Sequence, residues 1–414
     1  MQKAGSILSE SNFADIMGVS RRTLDVWKTN GKYKHHTDKS GKAFFYLKDL
    51  ETIPEIREML YSKWDEEMQT VPSRPYTSVE LFAGAGGLAL GMSMAGFHHV
   101  MLNEIDHLAC QTLRYNRPNW NVVEADIHGI DFSIYRDKID LLTGGFPCQA
   151  FSYAGNKGGF EDTRGTLFFE LARAVKEINP KVFLCENVRG LTTHDNGRTL
   201  SVIKNTIAEL GYTLVEPRVL QAIKYKVPQK RERLIMVAIR NDYANTVTFE
   251  WPAPYHRIMT LRDAFFKGEL YDTDVPKSDG QKYPEKKRRV MELVPMGGYW
   301  RDLPIAVQKE YMAGSYELEG GKTGIARRLS LDEPSLTLTC APAQKQTERC
   351  HPIDTRPLTV REYARIQTFP DNWQFVGTLT AQYKQIGNAV PVNLAYAIGR
   401  SLIRLFNNIE EYHG

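Results

Sequence analysis

The sequence predicts an α/β protein that combines a mostly parallel sheet, a smaller loop-rich region and a small α-helical N-terminal domain. From Thr77 to about Trp251, short apolar runs alternate with longer amphipathic stretches, which is typical of buried parallel strands covered by helices. From Trp251 to about His351 this regularity is lost, because Gly, Pro and charged residues are scattered among aromatic ones. The N-terminal residues contain two short helical patterns and precede a proline-containing break.

The apolar runs locate the elements of the sheet domain. Each predicted strand is a short apolar run, and each predicted helix has apolar residues at helical spacing. We expect strands at Ser78–Phe82, Ile139–Leu142, Val182–Cys185 and Leu234–Ala238, and helices at Leu167–Ile178, Leu200–Leu210 and Val392–Phe406.

Length and composition bound the class of protein. A chain of 414 residues with 42% hydrophobic content is long enough for two or three domains. It has no apolar run of the roughly 18 residues that a membrane span needs, and its first residues lack the apolar core of a signal peptide. We therefore expect a cytoplasmic protein without membrane contact that acts as a monomer in catalysis.

The cysteine pattern disfavours disulfides and a structural metal, and the net charge alone does not indicate nucleic-acid binding. Five cysteines are an odd number without a C-x-x-C pair, which favours neither a disulfide framework nor a structural metal site. A formal charge of +4 is small for this length, so only local sequence can indicate nucleic-acid binding.

The N-terminal residues have the spacing of a helix-turn-helix. Two short helical patterns meet at Gly18, and Ser20 is positioned to cap the second one, which begins with Arg21 and Arg22. Residues 1–50 hold nine Lys or Arg against five Asp or Glu, which leaves a basic surface for phosphates. The alternative is a three-helix packing unit in which both arginines are only solvated.

A glycine-rich turn and two acids follow successive predicted strands. The run Val79–Leu88 places a strand end before several glycines and then a helix, so the backbone can approach a ligand closely. Glu104 ends the next apolar segment, where nucleotide-type sites have the acid that binds ribose hydroxyls. Asp126 follows a third strand-like segment and is placed to accept a hydrogen bond from an adenine amino group. The alternative for each acid is a helix cap or a solvated turn residue.

Cys148 lies on a tight loop directly after the predicted strand Ile139–Leu142. The carboxyl edge of an open α/β sheet is where such proteins have their sites, so this cysteine is a candidate nucleophile. Pro147 restricts the path of the chain, and a thiolate is a soft nucleophile suited to an electron-poor ring carbon. For the other four cysteines, core packing is the better interpretation.

Glu186 follows another buried strand and reaches the same edge of the sheet. A carboxylate there is able to hydrogen-bond or protonate an incoming heterocycle. Arg231 and Arg233 precede the strand Leu234–Ala238, and their period-two spacing directs both to one face, where they suit a base edge or a phosphate. The alternative for the two arginines is a salt-bridged strand entry.

Six motifs in this order resemble those of the bacterial DNA cytosine-5 methyltransferase family. They cover the chain from about Thr77 to its end, apart from Trp251–Arg327, where family members differ from one another. The ordered set is highly specific, whereas a Pro-Cys-Gln tripeptide alone would not be. The motifs are Phe82–Gly87, Pro147–Gln149, Glu186–Val188, Gln229–Arg233, Arg356–Arg365 and Gln385–Pro391.

The resemblance implies a Rossmann-like domain that binds S-adenosylmethionine, a smaller target-recognition domain, and a cleft between them for double-stranded DNA. Two prolines in Val71–Pro75 predict a linker before the catalytic domain. The expected domains are 1–70 for the helix-turn-helix-like unit, 76–255 for catalysis, 256–357 for target recognition and 358–414 for the return to the catalytic domain.

The resemblance also implies roles for individual residues and no metal. The catalytic positions are matched by Cys148, Glu186, Arg231 and Arg233, and the DNA-facing loop is matched by Gln149 and Ser152. The cofactor-contacting positions are matched by Phe82, Ala83, Gly84, Gly86, Gly87, Glu104, Ile105, Asp126, Ile127, Pro147, Asn388 and Ala389.

The chemistry of the family requires the target cytosine to leave the base stack, because its carbon 5 is buried there and is not nucleophilic. The resemblance implies that the Cys148 thiolate adds at carbon 6 while Glu186 holds the N3 and amino edge. The glycine-rich segment Ser152–Thr166 suits a loop that closes over DNA. Protection of host DNA in a restriction-modification system is the family default.

Two features depart from the family pattern. Glu80 stands where the family more often has Asp, and we expect this change to be tolerated. Minimal family members lack the N-terminal unit, although some members carry a helix-turn-helix that represses their own operon. Arg21 and Arg22 are therefore expected to contact DNA, with the gene's own promoter as the expected partner.

We expect target specificity to reside mainly in Gly320–His351, whose polar side chains are able to bond base edges. The candidate residues are Arg327, Arg328, Gln344, Lys345, Gln346 and Arg349.

Three rival interpretations stay open. Methylation of a tRNA cytosine uses the same chemistry in one branch of the family, although the long recognition insert and the N-terminal unit favour duplex DNA. Amino-group methylation is disfavoured because the Asp/Asn-Pro-Pro-aromatic motif is absent. A DNA-binding regulator with a vestigial enzyme domain is disfavoured by the intact Cys148, Glu186 and Arg231.

Overall fold

A computed structural model describes residues 7–39, 41–146, 167–317 and 322–413 of the chain. Within them the strands are β1 (Ile7–Ser9), β2 (His36–Thr37), β3 (Ala43–Tyr46), β4 (Tyr76–Leu81), β5 (Phe97–Glu104), β6 (Val122–Glu124), β7 (Leu141–Gly145), β8 (Val182–Val188), β9 (Tyr212–Leu214), β10 (Arg218–Gln221), β11 (Gln229–Lys230), β12 (Glu232–Arg240) and β13 (Ser335–Leu336). The α-helices are α1 (Glu10–Ile16), α2 (Arg21–Thr29), α3 (Pro54–Leu60), α4 (Trp64–Glu67), α5 (Gly87–Ala95), α6 (His107–Asn116), α7 (Leu167–Ile178), α8 (Arg198–Glu209), α9 (Asn241–Ala244), α10 (Leu261–Phe265), α11 (Glu285–Glu292), α12 (Ile305–Met312), α13 (Val360–Ile366), α14 (Leu379–Asn388) and α15 (Val392–His413).

The central sheet is mostly parallel, as the sequence predicts. Its strands lie in the order β10, β12, β8, β7, β4, β5 and β6, and β9 pairs with β12. The strands from β4 to β8 are parallel to their neighbours among themselves, whereas β12 is antiparallel to β8, β9 and β10. The chain proceeds from β4 to β5 and β6 on one side and then returns to β7 on the other. The boundary between β4 and β7 is thus a topological switch point, where open α/β sheets bind ligands at the carboxyl ends of their strands.

Helices cover both faces of the sheet because successive residues of a strand point to opposite faces. On β8, Val182 and Leu184 enter the core layer formed with α5 and α15, whereas Phe183 and Cys185 enter the layer formed with α7 and α8. Helices α5 and α15 lie in very close contact, since a Cβ on Gly91 would lie 2.4 Å from the Cβ of Ala395.

The N-terminal domain contains the two short helices that the sequence predicts and, in addition, a sheet. Gly18 lies between α1 and α2 with φ 63°, and the Ser20 hydroxyl caps α2 by accepting a hydrogen bond from the Thr23 amide at 3.1 Å, as predicted. Strands β1, β3 and β2 form a three-stranded antiparallel sheet, which corrects the expectation of an entirely α-helical domain. Strands of two to four residues are too short to show a recognisable alternation in sequence.

The N-terminal domain packs directly on the catalytic domain. Its apolar core includes Ile223 and Ile258, which lie far away in sequence. Asp15 of α1 pairs with Lys230, whose Nζ lies 2.8 Å from Oδ2, and the Asp15 carbonyl accepts a hydrogen bond from the Gln221 side chain at 3.4 Å. The two domains therefore share a core and are not independent units.

The segment between the two domains follows the catalytic domain closely, which corrects the predicted linker. Asn407 of α15 accepts a hydrogen bond from the Ser73 amide and donates one to the Val71 carbonyl, both at 2.9 Å. The Arg74 guanidinium donates to both carboxylate oxygens of Asp140, at 2.6 and 2.9 Å. Proline ends a helix without making the chain mobile, so the sequence break did not indicate these contacts.

The loop-rich region has a separate apolar cluster. Met291, Trp300, Met312 and Cys350 are buried there, away from the core layers of the sheet. The short strand β13 connects this region to the catalytic domain by pairing in parallel with β11. No helix in the described part of the chain is long and apolar enough to cross a membrane.

Candidate active site

The turn after β4 has an unusual backbone that opens the carboxyl edge of the sheet. Phe82 and Gly84 both have left-handed conformations, with φ of 58° and 54°, and Gly86 caps α5 with φ 87°. A side chain at Gly86 would also meet Leu113 and Trp373. Glycine is therefore required at Gly86 both for its conformation and for the space it leaves.

The C-terminal motif closes against this turn. A Cβ on Gly87 would lie 2.2 Å from the Val390 carbonyl oxygen, so the main chain next to Asn388 and Ala389 lies beside the glycine-rich turn. The Cys340 thiol donates to Asn388 Oδ1 at 3.1 Å. Cys340 is exposed, which corrects the core-packing interpretation for this one cysteine; Cys110, Cys185 and Cys350 are buried as expected.

Glu104 ends β5 directly beside the turn. Its Oε2 accepts a hydrogen bond from the Gly84 amide at 2.7 Å, and its Oε1 accepts from the amides of Ile105 and Asp106, each at 2.8 Å. Carboxylate oxygens have further lone pairs, so Glu104 remains able to accept from ribose hydroxyls. The Ile105 side chain is 67% exposed and offers an apolar surface to a flat ring.

The third predicted acid, Asp126, lies in the exposed turn after β6. It accepts hydrogen bonds from the His128 amide at 3.1 Å and from the His128 ring at 2.6 Å, and these bonds lower the pKa of its carboxyl. It is therefore a capping residue in this structure, while its exposed carboxylate stays accessible. The side chains of Ala83 and Ile127, also predicted at the cofactor site, are buried in the core.

Glu80 is buried beneath this edge. Its Oε2 accepts a hydrogen bond from the Thr143 hydroxyl at 3.2 Å, and burial raises the pKa of Glu80 to about 8. A protonated carboxyl is compatible with such a site, since burial strongly disfavours a charge. The change from the family's usual Asp is accommodated inside the sheet and not at the ligand surface.

Glu186 and Arg233 form an ion pair at the carboxyl end of β8. The Arg233 Nε lies 2.5 Å from Glu186 Oε1, and their side chains are only 11% and 13% exposed. Antiparallel pairing aligns Arg233 with Val188 on the neighbouring strand, which brings its side chain beside Glu186. A Cβ on Gly145 would lie 2.9 Å from Glu186 Oε2, so the end of β7 leaves room in front of the carboxylate.

The main chain just before the predicted nucleophile is anchored to the same strand. The buried Asn187 side chain donates to the Phe146 carbonyl at 2.7 Å. Phe146 precedes Cys148 by two residues, so the chain leaves the sheet at the Glu186–Arg233 pair. Pro147, Cys148, Gln149 and Ser152, and the segment up to residue 166, lie outside the described residues.

Arg231 is buried and donates its hydrogen bonds to the main chain. It is 2% exposed, and it donates to the Gly387 carbonyl at 2.9 Å and to the Leu338 carbonyl at 3.2 Å. Burial lowers the pKa of Arg231 to about 9. In this structure Arg231 joins the loop-rich region to the C-terminal motif, and a direct catalytic contact remains an expectation.

Two buried glutamines, Gln229 and Gln367, have a structural function that was not predicted. Gln229 donates to Gln367 at 2.8 Å and accepts from the Leu338 amide at 3.0 Å. Gln367 in turn donates to the carbonyls of Ile386 and Ala389. This buried network connects the three segments that meet at the site. Gln229 is part of a motif that the sequence does show, whereas nothing in the sequence identifies its partner Gln367.

The residues predicted to bond base edges divide into two groups. For the first group, the structure corrects the prediction. Arg328 and Arg349 are each 5% exposed and donate to main-chain carbonyls, so they stabilise loops of the target-recognition region and do not present donors to DNA. Arg327 is half-buried, donates to the Gly297 carbonyl at 2.8 Å and packs over the Tyr299 ring.

The second group is exposed. It consists of Gln344, Lys345 and Gln346, which lie on one short turn. On the N-terminal domain the Arg22 side chain is also exposed, whereas the Arg21 side chain is outside the described atoms. Within the described residues, no group of three or more His, Cys, Asp or Glu is arranged to hold a metal ion.

The topological switch point and the glycine-rich turn that opens beside it are typical of α/β enzymes that bind a nucleotide-type cofactor at this edge of the sheet. Residues 76–404 match the family model for C-5 cytosine-specific DNA methylases. The chain belongs to this family: it is a DNA cytosine-5 methyltransferase that uses S-adenosylmethionine as methyl donor.

Several relatives resemble the chain over most of its length. The Type II methyltransferase M.Eco47II of Escherichia coli is 63% identical over 404 residues, which cover 97% of each chain. The Type II methyltransferase M.PspPI of Psychrobacter sp. is 60% identical over 395 residues, which cover 95% of each chain. Both alignments are longer than the family match, so they extend into the N-terminal domain.

Solved structures share the fold. One, described as a DNA modification methyltransferase encoded within an E. coli prophage, is 25% identical with a TM-score of 0.59, covering 80% of this chain and 99% of that one. A Spodoptera frugiperda DNMT2 mutant has a TM-score of 0.52 at 19% identity, covering 80% of this chain and 99% of that one. This second likeness supports the fold alone.

Proposed function

We propose that the protein methylates carbon 5 of a flipped cytosine at a specific duplex DNA sequence, through a covalent bond between Cys148 and carbon 6. We further infer that it is the modification enzyme of a Type II restriction-modification system, because the relatives M.Eco47II and M.PspPI carry Type II names. Such a role requires action in the cytoplasm, where host DNA lies, and a monomer suffices for the catalytic step.

The ion pair of Glu186 with Arg233 is the observation that carries this proposal. Arg233 holds one carboxylate oxygen, which fixes the orientation of the group. The other oxygen faces the space that Gly145 leaves open, directly beside the strand that leads to Cys148. A cytosine entering this space would meet a carboxylate along its N3 and amino edge and the predicted thiolate near carbon 6.

The residues divide the chemistry between them. Addition of the Cys148 thiolate to carbon 6 moves the electron pair of the 5,6 double bond to carbon 5, and a proton that the Glu186 carboxyl donates to N3 neutralises the negative charge that spreads there. Carbon 5 then accepts the methyl group. Loss of its proton to a base restores the double bond, and the Cys148 thiolate leaves as the product forms.

The residues beside the glycine-rich turn fit the cofactor. Glu104 has the free lone pairs that ribose hydroxyls need, and exposed Ile105 provides an apolar surface for adenine. S-adenosylmethionine, when bound, supplies a methyl group that is electrophilic because it is attached to a positive sulfur. Asn388 and Ala389 adjoin the turn from the C-terminal side.

Bisulfite sequencing of DNA from a host that expresses the protein tests the proposal. We expect protected cytosines at one short recurring sequence and nowhere else, and a Cys148→Ser host provides the matched background. Protected cytosines no more frequent than in the Cys148→Ser background would overturn the assignment.

We propose that the exposed turn with Gln344, Lys345 and Gln346 contributes to target specificity within Gly320–His351. Exchanging this segment for that of a related enzyme should move the methylated sequence, because side chains that bond base edges determine which bases are accepted. The readout is the methylation map of an active chimera. As a control, exchange of only the residues that surround the buried Arg328 and Arg349 should leave the methylation map unchanged. An unchanged map after exchange of the whole segment Gly320–His351 would refute the assignment.

We propose, as a second function, that the N-terminal domain binds DNA at the gene's own promoter and represses it. The supporting observation is the capped helix α2, whose residues Arg22, Asp25 and Val26 are exposed, with Val26 at 52%. An apolar residue exposed on the second helix of a helix-turn-helix suits contact with a thymine methyl group. The full chain should bind its upstream duplex more tightly than a scrambled duplex of equal composition.

A further inference from the structure

The N-terminal domain separates its charges between two regions. Residues 21–48, which run from α2 to the end of the β2–β3 hairpin region, hold eight Lys or Arg against two Asp. Residues 51–67, which include α3 and α4, hold six Asp or Glu against two Lys or Arg. A segment with such an excess of lysine and arginine has a composition typical of nucleic-acid-binding surfaces.

Several basic residues of the first region lie on or next to one hairpin. Strands β2 and β3 form an antiparallel hairpin in which His36 pairs with Phe44. At its tip, Asp38 accepts hydrogen bonds from the Gly41 amide at 3.0 Å and from the Lys42 amide at 2.9 Å, and Gly41 has φ 81°. These bonds join the two strands of the hairpin at Asp38 and Lys42.

The base of the hairpin is attached to the helix-turn-helix. Phe45 of β3 is fully buried, and its ring lies 4.6 Å from that of Phe13 in α1. Trp27 of α2 contacts Tyr33, which leads into the hairpin, and Lys32 lies 4.0 Å from the centre of the Trp27 ring. These contacts hold the hairpin beside α2.

The hairpin leaves its lysines in solvent. The Lys34 side chain is 69% exposed, although its Nζ lies 3.9 Å from Asp49 Oδ2, and Lys39 and Lys42 near the tip are exposed as well. The domain is docked on the catalytic domain through α1, where Asp15 meets Lys230, and not through these lysines. The contacts between the two domains therefore leave Lys34, Lys39 and Lys42 available to a partner.

We propose that α2 and the β2–β3 hairpin form a winged surface for duplex DNA, in which α2 enters the major groove and Lys34, Lys39 and Lys42 contact neighbouring phosphates. This rests on the proposed DNA binding by the N-terminal domain and adds a second element to it. The lysines contribute affinity and salt dependence, whereas α2 contributes sequence preference, because phosphate contacts do not distinguish bases.

The test uses the full chain and a duplex made only of A·T pairs, which offers the catalytic site no cytosine. Binding is followed by fluorescence anisotropy over a series of KCl concentrations. The wing variant carries Lys34→Gln, Lys39→Gln and Lys42→Gln. The matched control carries Lys63→Gln, Lys138→Gln and Lys176→Gln, which remove the same charge from exposed positions elsewhere.

The wing variant should bind more weakly, and its slope of log affinity against log salt should be smaller by about 0.9 for each lost phosphate contact. The control should keep the slope of the unmodified protein. Equal slopes for the wing variant and the control would overturn the winged surface.

A third variant, Arg22→Ala, separates this proposal from the one on which it rests. Weaker binding by Arg22→Ala together with a wing variant that matches the control would remove the wing and leave α2 as the DNA-binding element. If neither Arg22→Ala nor the wing variant differs from the control, both proposals fail. All variants should unfold at the same temperature as the unmodified protein, which shows that each one is folded.

Discussion

Replacing Cys148 with serine is expected to lower the rate of methyl transfer on the order of 10³-fold or more, because a hydroxyl is far less nucleophilic than a thiolate at neutral pH. Cofactor binding should be retained, since the change removes no charge from the turn after β4. Incorporation of labelled methyl groups into target DNA measures the rate, and calorimetry measures cofactor binding.

Cys340→Ser is the matched control for this experiment. Cys340 is an exposed thiol that contacts Asn388 at the same edge of the sheet, and a serine hydroxyl can still donate to Asn388 Oδ1. DNA with 5-fluorocytosine at the target should form a denaturation-resistant adduct with the unmodified protein and with Cys340→Ser, but not with Cys148→Ser. An adduct that requires Cys340 and not Cys148 would identify Cys340 as the nucleophile and refute the proposed mechanism.

The sequence predicts the positions of strand ends better than the contacts of side chains. The predicted helix Leu167–Ile178 agrees with α7 at both ends, and Glu104 and Glu186 lie at carboxyl ends of strands as expected. These positions follow from apolar runs, which the burial of a parallel sheet imposes on the sequence. The arrangement of the motifs along one edge was therefore predictable.

The arginines show where such reasoning stops. Arg231, Arg328 and Arg349 are basic residues of the kind that bind DNA. In the structure, however, each side chain is buried and donates to main-chain carbonyls. A guanidinium has five donors, and which acceptors they meet depends on loops that have no periodic pattern. Arg233 differs because it lies on β12, a strand that the sequence does predict, and the pairing of β12 with β8 in the structure brings it to Glu186.

The docking of the N-terminal domain also has no signal in the sequence. Ile223 and Ile258 complete its core from the catalytic domain, and an apolar residue does not indicate which core it joins. A fragment ending near Gln69 would lose these contacts, so binding by the isolated fragment is a poor measure of the domain. The full chain is the appropriate material for every DNA-binding experiment on α2 and the hairpin.

Glu186→Gln should lower methyl transfer by about 10² to 10⁴-fold, the usual contribution of a positioned acid or base. Glutamine has nearly the same shape, and its amide oxygen can still accept the hydrogen bond from Arg233 Nε, so the fold should be retained. The amide cannot carry the negative charge that meets the cytosine amino edge or deliver a proton to N3. Transfer of labelled methyl groups to target DNA measures the loss.

Exchange of tritium from carbon 5 of the target cytosine, measured without cofactor, shows at which step Glu186 acts. If Glu186 assists addition of the thiolate, Glu186→Gln should reduce exchange and methyl transfer by similar factors, because both require the carbon 6 adduct. Glu232→Gln is the control. Glu232 directly precedes Arg233 in the sequence, but its Oε2 pairs with Arg189 Nη1 at 3.0 Å on the surface. Methyl transfer by Glu186→Gln at the rate of Glu232→Gln would show that the carboxylate has no part in the chemistry.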